Sequence, residues 1–169
     1  MERFIMQDLI AWKNREDRKP LILLGARQVG KTYILKEFGQ REFENVAYIN
    51  CDNNAMVKDL FATDYNIERI LLTIGAITGV NIQAGKTLII MDEIQELHRG
   101  LASLKYFCED AREYHVAVAG SLLGLTLHQG ESYPVGKVNT LEMFPMTYEE
   151  FLLARGFKQR VEILQSGMW

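Results

Sequence analysis

Residues 25–32 read Gly25-Ala26-Arg27-Gln28-Val29-Gly30-Lys31-Thr32, which matches the pattern G-x-x-x-x-G-K-[ST] without a mismatch. An apolar run at residues 21–24 precedes this segment, and a helical pattern follows it at residues 32–38. A glycine-rich turn between a strand and a helix directs backbone N–H groups towards a phosphate at the helix N-terminus. We therefore expect residues 25–32 to bind the phosphates of ATP, with Lys31 at the β- and γ-phosphates and the Thr32 hydroxyl on Mg²⁺.

Two simpler interpretations apply to the same segment. A glycine-rich turn with an exposed lysine contains the same residue types and needs no ligand. Arg27 contacts a phosphate or a partner in one interpretation, and in the other it is an ordinary exposed loop arginine. The position of the segment between a strand and a helix favours phosphate binding, because the chemistry requires the loop at that place.

A second apolar run, at residues 88–91, is followed by Asp92 and Glu93. Such a run is typical of a central strand in a parallel sheet, and acids at its end lie on the same edge as the phosphate loop. We expect Asp92 to hold Mg²⁺, directly or through water, and Glu93 to polarise the water that attacks the γ-phosphate. Many strands end in a charged turn, so the signal depends on the loop 61 residues upstream (92 minus 31).

Glu93 also separates classes of nucleotide-binding protein. GTPases and small-molecule kinases with this type of loop usually lack the second acid, and the sequence has no N-K-x-D guanine-recognition motif. No arginine occurs between Arg112 and Arg155, where a kinase would place an arginine-bearing lid. The pair of acids therefore predicts an ATPase of the additional-strand, catalytic-glutamate type, in which a fourth strand lies between the first and third.

The alternation of strands and helices predicts an α/β fold in three layers, with a mostly parallel sheet covered on both faces. We expect the strand order 5-1-4-3-2, and Ser121 at the tip of the fourth strand to act as a catalytic sensor near the γ-phosphate. Ser121 capping a helix that begins at Leu122 is a compatible alternative. The predicted strands cover residues 21–24, 46–50, 87–91, 116–119 and 138–143, and the predicted helices cover residues 2–14, 32–38, 53–61, 67–77, 100–114 and 148–155.

Composition limits the remaining functional classes. The 169 residues suit one domain, and the net charge of −3 gives no overall attraction to nucleic acid, although a local basic patch stays possible. No signal peptide or apolar run of about 20 residues is present, so we expect a cytoplasmic protein that does not enter membranes. Cys51 and Cys108 are expected to be reduced and buried, and His98, His115 and His128 to be structural, because their spacing forms no ligand set.

Several further segments carry a family resemblance. They are Met91-Asp92-Glu93-Ile94-Gln95, Ala119-Gly120-Ser121, Tyr133-Pro134-Val135-Gly136-Lys137-Val138 and the block at residues 141–152. With the phosphate loop, they make the chain resemble prokaryotic AAA-type (AAA_14-like) ATPases whose core precedes a DUF4143 domain. The likeness covers about residues 8–155.

The resemblance implies an ATPase core at residues 1–155, with Lys31, Thr32, Asp92 and Glu93 as its functional residues and ATP and Mg²⁺ as its cofactors. It also implies that residues 156–169 begin a linker or a C-terminal region that is missing from this chain. Relatives usually carry Pro and Trp after Asp-Glu-Ile-Gln, where this chain has Glu96-Leu97. Lys137, which is often arginine in relatives, either senses nucleotide or lies in a loop.

The predicted activity is hydrolysis of ATP, slow in isolation because an arginine finger from a neighbouring subunit or the absent domain is expected to complete the site. The candidates for this finger within the chain are Arg99, Arg112, Arg155 and Arg160, and their presence in the sequence is the one ground for naming them. The first interpretation is an ATP-driven machine that acts on DNA or protein and could assemble as a homo-oligomer. A nucleotide-dependent switch with little turnover is the second, and a phosphotransferase is the third. The residues around adenine are not specified; Trp12 is either one of them or a core aromatic.

Overall fold

The computed structural model describes residues 3–52, 54–121 and 133–167, and it describes Arg160 by its backbone alone. Five strands form one sheet in the order β2-β3-β4-β1-β5, and every pairing is parallel. The predicted α/β class and the order 5-1-4-3-2 are confirmed, with the order read from the opposite edge. The strands are β1 (Leu21–Gly25), β2 (Asn45–Asn50), β3 (Thr87–Asp92), β4 (His115–Ser121) and β5 (Asn139–Glu142).

Helices cover both faces of this sheet, as the three-layer prediction requires. The helices are α1 (Ile5–Lys13), α2 (Lys31–Glu42), α3 (Ile67–Thr78), α4 (Gly100–Asp110), α5 (Tyr148–Ala154) and α6 (Lys158–Ser166), and a short 3-10 turn covers Ile94–Glu96. Helix α4 ends at Asp110 rather than at the predicted residue 114, and the chain then turns into β4. Helices α5 and α6 pack against each other after β5.

Alternate residues of the central strands point to opposite faces, which explains the wholly apolar runs in the sequence. In β3, Ile89 and Met91 belong to the hydrophobic cluster under α3 and α4. Leu88 and Ile90 belong to the second cluster, under α1 and α2. All four side chains are fully buried. A strand that contributes to both cores has no solvent-facing position, so the period-2 pattern disappears from its sequence.

The helix predicted at residues 53–61 is wrong: residues 55–61 form consecutive turns, and Asn53 lies outside the described residues. The side-chain Oδ1 of Asn54 accepts a hydrogen bond from the Met56 amide at 3.1 Å. Such local side-chain bonds compete with helical backbone bonds. Apolar residues spaced as on a helix are nevertheless buried in this segment, namely Val57, Leu60 and Phe61.

Some sequence predictions fall outside the described residues, including the helix that Ser121 was expected to cap from Leu122 and the structural role of His128. Within the described ranges, no helix combines the length and the apolar character that a membrane crossing needs. The segment expected to begin a linker or C-terminal region contains helix α6, and the positions of Met168 and Trp169 are not described.

Candidate functional site

The predicted phosphate loop follows β1 directly and ends at the start of α2. Gly30 adopts a left-handed conformation (φ 98°) immediately before the helix, which a side chain would disfavour. A Cβ atom at Gly25 would lie 2.6 Å from the carbonyl oxygen of Met143, at the end of β5. Glycine is therefore required at both positions, at Gly30 for its backbone conformation and at Gly25 because the loop packs closely against the chain after β5.

The N-terminus of α2 has no side-chain cap. Gly30 occupies the N-cap position, and no side-chain cap hydrogen bond forms there among the described residues. The first amide of this region to find a helical partner is that of Ile34, which donates to the Gly30 carbonyl at 3.0 Å. The preceding N–H groups of the helix keep their donor capacity, and together with the helix dipole they favour an anion at this end.

Lys31 folds back over the loop that precedes it. Its ammonium Nζ donates to the carbonyl oxygens of Gly25 at 2.8 Å and Ala26 at 2.6 Å, and the residue is only 6% exposed. Burial lowers the pKa of Lys31, while the charges of Glu93 and Asp92 oppose that shift. The structure thus places a largely buried cation at the base of the loop, beside the anion-favouring helix end.

Asp92, the last residue of β3, is held by three donors. The Thr32 hydroxyl and the Tyr48 hydroxyl (O–O distance 2.7 Å) both donate to Oδ2, and the Glu93 amide donates to Oδ1 at 3.0 Å. Burial raises the pKa of Tyr48, and its hydrogen bond to Asp92 raises it further, so this phenol stays a donor. The structure brings together Thr32 and Asp92, the two residues predicted to hold the metal.

Glu93 adopts a left-handed backbone conformation (φ 54°), which is uncommon for a residue with a side chain and is concentrated at functional turns. Its Oε2 accepts a hydrogen bond from the Gln95 Nε2 at 2.5 Å. Gln95 is buried, and its Oε1 has no hydrogen-bond partner among the described residues. Sequence reasoning did not assign a role to Gln95 or Tyr48; position in the Asp-Glu-Ile-Gln run was the only available signal for Gln95.

Ser121 ends β4, and the strand register pairs it with Gly25, the first residue of the phosphate loop. The residue is 7% exposed. Its place beside the loop is the one expected for a sensor; its catalytic role stays a prediction.

These elements enclose a cleft of about 660 Å³ at the carboxyl edge of the sheet, which we call the phosphate cleft. Its lining includes Lys31, Thr32, Asp92 and Glu93, which are the predicted binding and catalytic residues from both segments. Arg27 is exposed and is the one arginine among the described residues that line this cleft. The cleft also receives Asn50, Asp52 and Glu96, which the sequence did not single out.

A buried ion pair that the sequence did not reveal ties the phosphate loop to α5. The guanidinium of Arg3 donates to the carbonyl oxygens of Val29 (3.3 Å) and Phe144 (2.8 Å), and its Nε lies 3.2 Å from the Glu150 Oε2. Both charged side chains are 5% exposed. Glu150 also completes a capping box with Thr147 at the start of α5. The partners are far apart in sequence, so no local pattern could have predicted the pair.

Other side chains considered for the site lie elsewhere. The Trp12 ring is 5.9 Å from the ring of His115, the first residue of β4, so it lies at the amino edge of the sheet, opposite the phosphate loop. The guanidinium of Arg112 donates to the Cys108 carbonyl at 3.3 Å, and that of Arg99 donates to the Tyr65 hydroxyl at 2.9 Å. Neither arginine lines the cleft in the described part of the chain.

Comparison with known proteins agrees with this geometry. The AAA_14 family model, described as an AAA domain, matches residues 17–152. The fold is similar to that of the Orc1 protein of Aeropyrum pernix, solved in complex with DNA, at a TM-score of 0.53 and 14% sequence identity. That match covers 91% of this chain but 47% of the Orc1 chain, and at this identity it supports the fold alone. No curated protein gave a significant match. Because the family model spans most of the sequence, the chain belongs to the AAA_14 family of AAA domains.

Proposed function

We propose that the chain binds ATP with Mg²⁺ and hydrolyses it to ADP and phosphate. The observation that carries the proposal is the hydrogen bond between the Thr32 hydroxyl and the Asp92 carboxylate, with the Lys31 ammonium at the base of the same cleft. A hydroxyl from the loop, a carboxylate from the neighbouring strand end and a lysine are the groups that P-loop NTPases use for a metal-bound nucleotide.

The phosphate loop provides the charge for nucleotide binding. The Lys31 ammonium would exchange its loop carbonyl partners for β- and γ-phosphate oxygens, and the uncapped amides of α2 would donate to the same phosphates. A cation already desolvated by burial loses little hydration on binding, which favours this exchange. Arg27, exposed at the rim, is available to a phosphate or to a partner.

The donor set fits Mg²⁺ shared with a nucleotide. No cluster of three or more His, Cys, Asp or Glu side chains suited to a metal occurs in residues 3–52, 54–121 and 133–167. Thr32 and Asp92 supply two oxygens, and Mg²⁺ typically takes one or two protein ligands together with phosphate oxygens and water. Bound there, the metal would neutralise charge that develops on the transferred phosphoryl group.

Glu93 follows the metal-binding carboxylate and lines the cleft, so we assign it the orientation of the attacking water. In the structure its Oε2 accepts from Gln95, which holds the side chain in one position. Ser121, beside Gly25, is our candidate for the group that senses the γ-phosphate.

Turnover by this chain alone is expected to be slow. Arg27 is the one arginine among the described residues that line the cleft, and fast hydrolysis generally needs an arginine finger worth on the order of 10³-fold or more. We assign the finger to a neighbouring subunit or to a further domain such as the DUF4143 domain that the resemblance implies, with residues 156–169 as the connection. We propose that ATP hydrolysis drives action on DNA or protein in the cytoplasm. The Orc1 structure that shares this fold was solved in complex with DNA.

A second candidate is an ATP-dependent switch with little turnover. The hydrogen bond from Gln95 occupies a Glu93 oxygen that would otherwise accept from water, and this favours a site that binds ATP before it is activated. Phosphate release stimulated by oligomerisation or by DNA would identify the machine, and release that stays at a few turnovers under all conditions would identify the switch. A phosphotransferase, the third interpretation, would release no phosphate without an acceptor.

The direct test is phosphate release from Mg-ATP by the Glu93→Gln variant. We expect turnover to fall about 100-fold or more while ATP affinity persists, because the amide cannot take a proton from water. Glu96→Gln is the matched control, since Glu96 also lines the cleft and is exposed. Unchanged turnover in Glu93→Gln would contradict the assignment of Glu93.

A further inference from the structure

A second and larger cleft, of about 900 Å³, lies beside the start of α4. We call it the tyrosine cleft and define it by Tyr65, Arg99, Lys105, Tyr106, Tyr133 and Lys137. It shares no lining residue with the phosphate cleft, and among its described lining residues there is no Asp or Glu. Three aromatic phenols and three cations therefore meet in one cavity of a protein whose net charge is −3.

Stacked rings form one wall of the tyrosine cleft. The ring centroids of Tyr65 and Tyr106 are 4.3 Å apart, and their planes differ by 11°. The Arg99 guanidinium lies 4.4 Å from the Tyr65 centroid and donates to the Tyr65 hydroxyl and, at 3.0 Å, to the Ala62 carbonyl. Tyr65 is thus held by its neighbours, and the Tyr106 ring is stacked against it.

Tyr106 is half-buried and lines the tyrosine cleft. A planar ring held by a rigid stack presents a ready surface for another flat aromatic group, because little conformational entropy is lost when that group stacks on it. In single-stranded nucleic acids, bases stack on exposed aromatic rings, and this stacking tolerates any base sequence because every base has a flat aromatic face.

The cations at the rim match the other part of such a ligand. The Lys105 ammonium lies 5.7 Å from the Tyr106 centroid, on an exposed residue of α4. Lys137 is paired with Glu109 at 3.2 Å, but the two side chains are 41% and 37% exposed. An exposed pair of this kind contributes little, so a phosphate can compete for Lys137.

We propose that the tyrosine cleft binds a short segment of single-stranded nucleic acid. A base stacks on Tyr106, and the phosphates on either side of that base pair with Lys105 and Lys137. The stacked, nearly parallel rings favour this ligand over an acidic peptide, which would need the cations but not the aromatic surface. The site is separate from the phosphate cleft and goes beyond the proposed ATPase activity.

The test is the fluorescence anisotropy of a fluorescein-labelled oligothymidine titrated with the full chain at low ionic strength. We expect saturable binding that Tyr106→Ala weakens by about fivefold or more, since stacking on one aromatic side chain contributes about 1–3 kcal/mol per base. Lys105→Gln should weaken binding and reduce the slope of log affinity against log salt by about 0.7. Tyr148→Ala and Lys86→Gln, exposed and outside the cleft, are the matched controls and should bind normally.

Further arms separate this site from the ATPase site. Lys31→Ala should lose ATP affinity and keep oligothymidine affinity, so the two proposals can fail independently. The proposal is overturned if oligothymidine does not bind, or if Tyr106→Ala binds it as well as the wild type does. Competition between ATP and oligothymidine would also overturn it, because it would mean that the oligonucleotide binds in the phosphate cleft. Equal affinity for a duplex, or stronger binding of a polyglutamate peptide, would also overturn it. Because Lys105→Gln alters only an exposed side chain, its result does not depend on whether Tyr106→Ala folds.

Discussion

The two edges of the sheet present opposite environments. At the carboxyl edge, β3 ends in Asp92, whose carboxylate accepts three hydrogen bonds in an open cleft. At the amino edge, β4 begins with His115, whose ring lies 5.9 Å from Trp12 and 5.1 Å from Phe43. Burial, followed by the charge of Arg18, lowers the pKa of His115 to about 4. Polar chemistry is therefore concentrated where the strands end, and apolar packing dominates where they begin.

This difference follows from the parallel topology. Parallel strands all finish on the same side of the sheet, so the loops after them and the N-termini of the following helices meet there. At the amino edge the helices end instead, so the side chains there need not bind a ligand and pack against one another. A polar residue such as His115 is tolerated there as a neutral ring, with Nδ1 lacking a hydrogen-bond partner among the described residues. The comparison predicts that substitutions at the carboxyl edge alter activity and that those at the amino edge alter stability.

The largest effect is expected from Asp92→Asn. The substitution keeps the shape of the side chain and removes the charge that would hold Mg²⁺, so phosphate release at saturating Mg-ATP should fall about 100-fold or more. A thermal melt close to that of the wild type would show that the fold is intact. Asp52→Asn, at another position in the cleft, is the control and should retain turnover. Equal losses of turnover in both variants would contradict a metal-binding role for Asp92.

A smaller effect, and one on stability alone, is expected at His115. The folded state keeps the ring neutral down to about pH 4, whereas the unfolded chain protonates it near its ordinary value of 6.5. The stabilising contribution is thus complete above pH 6.5 and is lost as the pH falls towards 4, on the order of 2 kcal/mol by about pH 5.

Urea unfolding of the wild type and of His115→Gln at about pH 7 and pH 5 measures this contribution. The wild type should lose more stability across the interval, because glutamine does not titrate and all other groups are shared. Parallel losses in the two proteins would contradict the neutral, buried histidine. ATP affinity should be the same in both proteins at about pH 7, since His115 is at the edge opposite the phosphate loop.

The smallest effect is expected from Tyr48→Phe. Asp92 loses one donor but keeps the Thr32 hydroxyl and the Glu93 amide, so a single hydrogen bond to a charged group is removed. Affinity for Mg-ATP, measured by calorimetric titration, should fall by about tenfold. Tyr33→Phe, on a residue that lines the cleft with 53% of its surface exposed, should bind normally. A loss as large as that of Asp92→Asn would mean that Tyr48 itself contacts the ligand.

Local sequence patterns predicted much of the carboxyl edge. The phosphate loop and the Asp92-Glu93 pair were recognisable because a loop at a strand end needs particular residue types in one continuous segment. The register of β4 with β1 places Ser121 beside Gly25, as its position at a strand tip implied. The strand order followed from the ATPase class that Glu93 indicated, and it is confirmed.

What the sequence did not predict depends on distant segments or on backbone competition. Tyr48 reaches Asp92 from a neighbouring strand, and Arg3 reaches Glu150 from the other end of the chain. Neither contact leaves a local pattern. The turns at residues 55–61 have apolar residues at helical spacing, and the side chain of Asn54 nonetheless favours turn geometry there.

Binding of ATP at the phosphate loop is the central claim, and calorimetric titration of Mg-ATP into the wild type and Lys31→Ala tests it most directly. The Lys31 ammonium is the buried cation at the base of the cleft, so its removal should weaken binding at least about tenfold. Lys86→Ala, an exposed lysine before β3, should bind like the wild type. Equal affinity of Lys31→Ala and the wild type for Mg-ATP would contradict the account.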